Sequence, residues 1–442
     1  MILKLSMIVD GCFVLNHEIR RQRLSLHYDE SSQCWVIADV DASLAIGPPD
    51  WYFTDQQILF PSFIDIHVHA REDSSATENY KEDFTSASLA ARNGGVSAFM
   101  EMPNNRVDPP RDLESYRRKV FLIARSIKQT SVPIVPYVLI DKNSTGAFSF
   151  KVPYKVYYGV SVNADPHTSF ANKDELKEVL AKYPGEMIAF HCEHPSALKR
   201  YVGESTHGTR RPPSAEVDAI HDVIELAVEI GFHPHICHLS TKEGAELCLN
   251  AKKRKIPLTF EVAPHHLYFS SEMLESEAEL QKISSYFHVN PPIREERDRL
   301  YLLEIVKKGL VDFFATDHAP HTLEEKLVKG FSGFPQLDTY GLFIEWLLKY
   351  EKVSPVIIAK MCTYAACNFF NPFWESMLLQ FPTLQTLNLP KLGQIEKNFL
   401  GDFYIVDLYD KEVFSRLTKE NLKTKNQHSP FLYRPFTKGL ER

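Results

Sequence analysis

The 442 residues are 44% hydrophobic, enough for more core than one average domain holds, and a formal net charge of −7 leaves no broad cationic field for nucleic acid or an anionic membrane surface. No apolar run reaches the roughly 18 residues that a bilayer span needs, so neither nucleic acid nor membrane is expected as a partner, and a small molecule is. Seven scattered cysteines without a CxxC pair point to free thiols in a reducing compartment, with the cytoplasm as the expected location.

Residues 1–60 alternate apolar and polar side chains in LKLSMIV, RLSLHY and CWVIADV, the period of half-exposed strands. From 61 the texture changes to short apolar strands alternating with longer helical segments. The strands are SFIDIHVH, VSAFMEM, PIVPYVLI, YKVYYG, MIAFHCE, HICHLS, PLTFEVA and VDFFATD. Eight β-then-α units predict a parallel (β/α)8 TIM barrel over 61–384. Strand-like texture returns in LGQIEKNFLGDFYIVDLYD. The flanks 1–60 and 385–442 are each too small to stand alone, and are expected to pair into one small discontinuous β-sandwich domain.

Candidate metal ligands gather at the C-terminal ends of these strands, where a parallel barrel collects its chemistry. His67 and His69 end the first strand and project from one face. A second HxH pair, His233 and His235, stands at a strand entrance and reads as structural. His191 and His238 end strands five and six. Asp317 ends strand eight, where a carboxylate after so apolar a run needs charged or hydrogen-bonded partners. Lys155 lies inside an apolar strand. Held neutral by burial, it can take up carbon dioxide as a carbamate and so become an anionic bridge between two cations. Cys192 and Cys237 neighbour candidate ligands but are expected on the opposite strand face, as core.

HVHARE, AARNGGVSAFMEMPNN, KVYYG, RRPPSAEVDAI, HICHLST, EVAPHHL, HVNPPIR, ATDHAPHT and SGFPQLDT, in this order, resemble the amidohydrolase superfamily and, within it, the dihydroorotases. The resemblance spans nearly the whole chain. It implies two zinc ions, one held by His67 and His69 and the other by His191 and His238, bridged by carboxylated Lys155 and a hydroxide. Asp317 is implied as a ligand that also shuttles a proton. Arg71 and Asn104 are implied to hold a substrate carboxylate, Asn290 and His321 to touch substrate, and Pro335 to lie in the loop lining the pocket. The implied reaction interconverts N-carbamoyl-L-aspartate and L-dihydroorotate, a step of de novo pyrimidine biosynthesis, and a homodimer is the expected assembly.

Two alternatives stay open: another cyclic amidohydrolase (dihydropyrimidinase, hydantoinase or allantoinase), or a non-catalytic dihydroorotase-like scaffold for a transcarbamoylase. The chain departs from the pattern at Asp73-Ser74-Ser75, Asn105 and Gln336, at GVSVN after the fourth strand, and near its end, where a last strand is expected to be missing. The charged stretch from His321 to Pro335 is expected to be a mobile lid.

Overall fold

The computed structural model describes residues 5–41, 47–159, 169–410 and 412–432. The GVSVN departure, from position 160 on, and the end of the chain after 432 lie outside the described residues. Eight parallel barrel strands, numbered one to eight below, occupy the expected positions: Phe63–Val68, Val96–Glu101, Ile134–Pro136 with Val138–Leu139, Tyr154–Tyr158, Met187–Cys192, His233–Ile236, Thr259–Val262 and Phe313–Phe314. A parallel bridge between Val68 and His318 brings strand eight beside strand one. Strand interiors are fully buried, as parallel strands covered on both faces must be. Helices Phe84–Asn93 and Leu113–Thr130 each start on an aspartate, Asp83 and Asp112, whose carboxylate caps the third helical N–H.

The flanking β segments form one six-stranded sheet. Phe403–Asp407, Gln57–Pro61, Ser6–Val14, Ile19–Asp29 and Cys34–Val40 lie in that order, with Trp51–Tyr52 beside Ser6–Val14. Phe13, Leu24, Leu26, Ile37 and Leu59 fill its own core. Of the expected C-terminal half, Phe403–Asp407 pairs with the N-terminal strands, through Ile405 opposite Leu59. The chain from 412 to 432 instead packs on the barrel beside helix Phe84–Asn93, where Asn93 donates to the Asn421 carbonyl and Lys423 and Thr424 donate backbone N–H groups to Asp338 at 2.7 and 3.0 Å. No helix among the described residues is long and apolar enough to cross a membrane.

Tyr404 fastens the sheet to the barrel: its ring packs 5.3 Å from that of Phe63 and its hydroxyl donates to Glu345 at 2.9 Å. The ring fits only because Gly341 has no side chain, since a Cβ there would stand 2.2 Å from two Tyr404 ring atoms. Gly341 lies inside a helix, Tyr340–Lys349. Propensity alone favours alanine there by about 1 kcal/mol, whereas overpacking costs about 1–3 kcal/mol. Gly341→Ala is therefore expected to lower the thermal midpoint by a few degrees, and a raised midpoint would show that the ring moves aside freely.

Candidate active site

Three of the four imidazoles at the mouth have one ring nitrogen held by an oxygen partner, and their other nitrogens turn toward Asp317 and His238. His67 Nδ1 lies 2.5 Å from Glu261 Oε1, and His69 Nδ1 lies 2.7 Å from Asn104 Oδ1. Both partners accept only, so both Nδ1 atoms carry the proton and each Nε2 keeps its lone pair. Those Nε2 atoms stand 3.3 and 3.1 Å from Asp317 Oδ1. In His191 the order is reversed: Nε2 meets Glu193 Oε2 at 2.9 Å, leaving Nδ1 3.1 Å from His238 Nε2. Glu193 in turn receives Arg211 Nη2 at 2.5 Å. Burial pushes all four imidazoles below their ordinary pKa, toward the neutral form a metal needs.

Lys155 lies beneath this group, fully buried, with Nζ 2.8 Å from Cys237 Sγ. Tyr157, two residues on, pairs in register with His191 and lines the cleft above. His67, His69 and Asp317 each present a donor atom within 4.8 Å of the others. Burial pushes the Asp317 carboxyl up, against the pull of His67. A buried carboxylate among neutral imidazoles, plus a His238 Nδ1 with no partner, is a donor set short of positive charge, and divalent metal ions fit it.

Arg71 stands on the other side of the cleft. It is 3% exposed, with Nη1 3.4 Å from Asn104 Oδ1, Nη2 3.5 Å from His321 Nε2, and Nε without a partner. Its backbone carbonyl accepts from Asn105 Nδ2 at 2.9 Å, and Lys119 Nζ braces the Asn105 oxygen at 2.5 Å. Asn105, one of the departures, is thus part of the support for Arg71. Asn104 Oδ1 is committed to His69, so only its amide nitrogen remains for a ligand. Asn290 lines the cleft with a buried, unpartnered Oδ1. His321 stands behind Arg71, and Pro335 is buried two residues beyond Gly333, which together with Ser332 and Ala319 forms that wall.

Two expectations need correcting. The stretch 321–335 is not all surface loop: Lys326 is fully buried, its Nζ donating at 2.8 Å to the carbonyls of both His288 and Phe331, and Thr322 and Glu325 form a capping box on helix Leu323–Leu327. Of the charges that suggested solvent, Glu325 and Lys326 are buried, while Glu324 and Lys329 face each other 3.7 Å apart at the surface. Cys237 does not point away from the ligands, because His238 adopts φ 34° and breaks the alternation of the strand, so both residues face inward.

The supports Glu261 and Glu193 were not singled out from sequence. The signal that flagged Asp317, an acid in an apolar strand, was equally present for Glu261 in PLTFEVA. His235, read as structural, is buried with Nδ1 3.0 Å from Thr259 Oγ1 and Nε2 3.0 Å from Glu261 Oε2.

Residues 58–431 match the amidohydrolase family model. A dihydroorotase from Carboxydothermus hydrogenoformans is 31% identical over 441 residues, covering 98% of this chain and 94% of the relative. One from Bacillus licheniformis is 29% identical over 401 residues, covering 85% and 83%. Among solved structures, an L-hydantoinase (dihydropyrimidinase) from Arthrobacter aurescens superposes with a TM-score of 0.73 at 19% identity, covering 96% of this chain and 91% of the other. A D-hydantoinase from Bacillus sp. AR9 gives 0.74 at 16%, covering 96% and 90%. At those identities the structural likeness speaks to the fold.

Proposed function

We propose that this chain, which belongs to the amidohydrolase family and is a metal-dependent cyclic amidohydrolase, opens and closes the ring of L-dihydroorotate, interconverting it with N-carbamoyl-L-aspartate in pyrimidine biosynthesis. The observation that carries the reading is Arg71: a buried guanidinium facing the cleft, its Nε unpartnered, beside the proposed ligands. An uncharged ring amide offers such a group only a neutral carbonyl acceptor. A ring carboxylate gives it two charge-assisted hydrogen bonds. The dihydroorotase relatives support the same choice.

His67, His69, His191, His238, Asp317 and a carboxylated Lys155 would hold two zinc ions, whose chemistry would be to polarise a carbonyl and lower the pKa of water from 15.7 to about 7. Lys155 Nζ, as the neutral amine, adds carbon dioxide and releases one proton to become the carbamate. Asp317 takes the proton of the attacking water and delivers it to the ring nitrogen as the C–N bond breaks. Glu261, Asn104 and Glu193 hold the imidazoles in the tautomers that ligation requires. Arg71 and the Asn104 amide hold the substrate carboxylate, and Asn290 meets the ring from the opposite wall.

The test is substrate-selective. A hydrogen bond to a charged group contributes about 1.5–3 kcal/mol, so Arg71→Met is expected to lower kcat/KM for dihydroorotate on the order of ten- to a few hundred-fold. Metal content should stay the same, and so should any side activity on dihydrouracil, which lacks the carboxylate. A wild type that prefers dihydrouracil, or equal damage to both substrates, would move the assignment to a dihydropyrimidinase.

A further inference from the structure

The segment 412–432 touches the connection after strand one, the connection after strand eight and, through Tyr286, the connection after strand seven. On the first, Thr424 Oγ1 donates to Glu82, Lys425 Nζ lies 2.5 Å from both Asp83 Oδ2 and the Asn79 carbonyl, and Asn426 Nδ2 donates to the Lys81 carbonyl at 2.7 Å. On the second, besides the two N–H groups on Asp338, His428 Nε2 donates to the His321 carbonyl at 2.7 Å. That bond places the proton on Nε2, so Nδ1 is the acceptor for the Tyr286 hydroxyl 2.9 Å away. His428 is 3% exposed, and Phe431 anchors the segment by stacking on Phe269 with centroids 5.8 Å apart.

The connections after strands one and eight carry the two side chains that meet at the proposed carboxylate end of the cleft. His321 Nε2 lies 3.5 Å from Arg71 Nη2, and on its far side Nδ1 lies 3.4 Å from Glu325 Oε2. The imidazole therefore has a partner on each edge, while its backbone is held by His428. We infer that His428 is a positioning residue for substrate binding: by holding the backbone of His321 it keeps that imidazole against Arg71 and fixes the direction of the guanidinium. The inference rests on the dihydroorotate reading of the same site. It gives a stretch remote from the ligands in sequence a part in recognising the substrate's charge.

His428→Phe keeps a ring beside Tyr286 and removes both hydrogen bonds, whereas His428→Gln keeps a donor at the Nε2 position. The expected result is a roughly tenfold rise in KM for dihydroorotate in His428→Phe with kcat changed less than about threefold, and recovery of most of that loss in His428→Gln. Metal content should equal wild type. In the Arg71→Met background His428→Phe should add little, because the two act on one contact. An unchanged KM, a loss confined to kcat or thermal midpoint, or full additivity with Arg71→Met would each overturn the inference while leaving the substrate reading intact. A wild type that does not turn over dihydroorotate would overturn the substrate reading, and this one with it.

Discussion

Asp317→Asn is expected to lower kcat by about 10²- to 10⁴-fold, the range for removing a positioned general acid–base, with KM for dihydroorotate changed only modestly. The amide keeps an oxygen where Oδ1 now faces His67 and His69, but it can neither accept the proton of the attacking water nor return one to the ring nitrogen. The overall equilibrium cannot change, so ring opening and ring closure should slow by the same factor. Both directions are measurable by following the amide chromophore of the ring. Metal content measured on the same sample separates lost proton transfer from lost ligation. A variant that keeps its metal and more than about a tenth of wild-type kcat would remove Asp317 from the proton path.

Lys155→Ala carries the other large effect. The side chain is fully buried in strand four, and the nearby Glu261 carboxylate is already committed to His67 and His235. Without the proposed carbamate, co-purifying metal and turnover should fall together, turnover by upwards of about a thousandfold, since water left at its ordinary acidity is a far poorer nucleophile. A short-chain carboxylic acid at tens of millimolar, small enough for the space the lysine leaves, should restore part of both. Bicarbonate should speed recovery of stripped wild type and do nothing for the variant. Full metal and full activity in Lys155→Ala would end the bridge assignment.

The barrel was legible because each strand is a short apolar run followed by an amphipathic helix, a pattern that survives without knowledge of neighbours. The ligand candidates were legible for a related reason: a histidine or aspartate closing an apolar strand stands out locally. What escaped was whatever depends on chain distant in sequence. Glu261 meets His67 across 194 residues, and no local window joins PLTFEVA to FIDIHVH. Lys326 looked like solvent because its two acceptors, the carbonyls of His288 and Phe331, have no side-chain signature. The segment around His428 looked like the end of a β domain because its hydrogen bonds go to loops more than a hundred residues away. Cys237 was misplaced by a rule that holds only while the backbone stays extended.

That departure from extended backbone is not confined to His238. Arg71 at φ 65° and Asp317 at φ 49° share it, so the chain turns left-handed at three non-glycine residues just as strands one, six and eight reach the mouth. Such conformations cost on the order of 1–3 kcal/mol each and persist where their surroundings over-determine them; aspartate tolerates the region better than arginine. The mouth is therefore a reservoir of instability bound to the chemistry. Substitutions that relax these turns, glycine at position 71 above all, would give a sturdier protein with a disarmed cleft. Efforts to make this chain more heat-resistant have their room in the outer helices and the six-stranded sheet, far from the three turns that aim its working side chains.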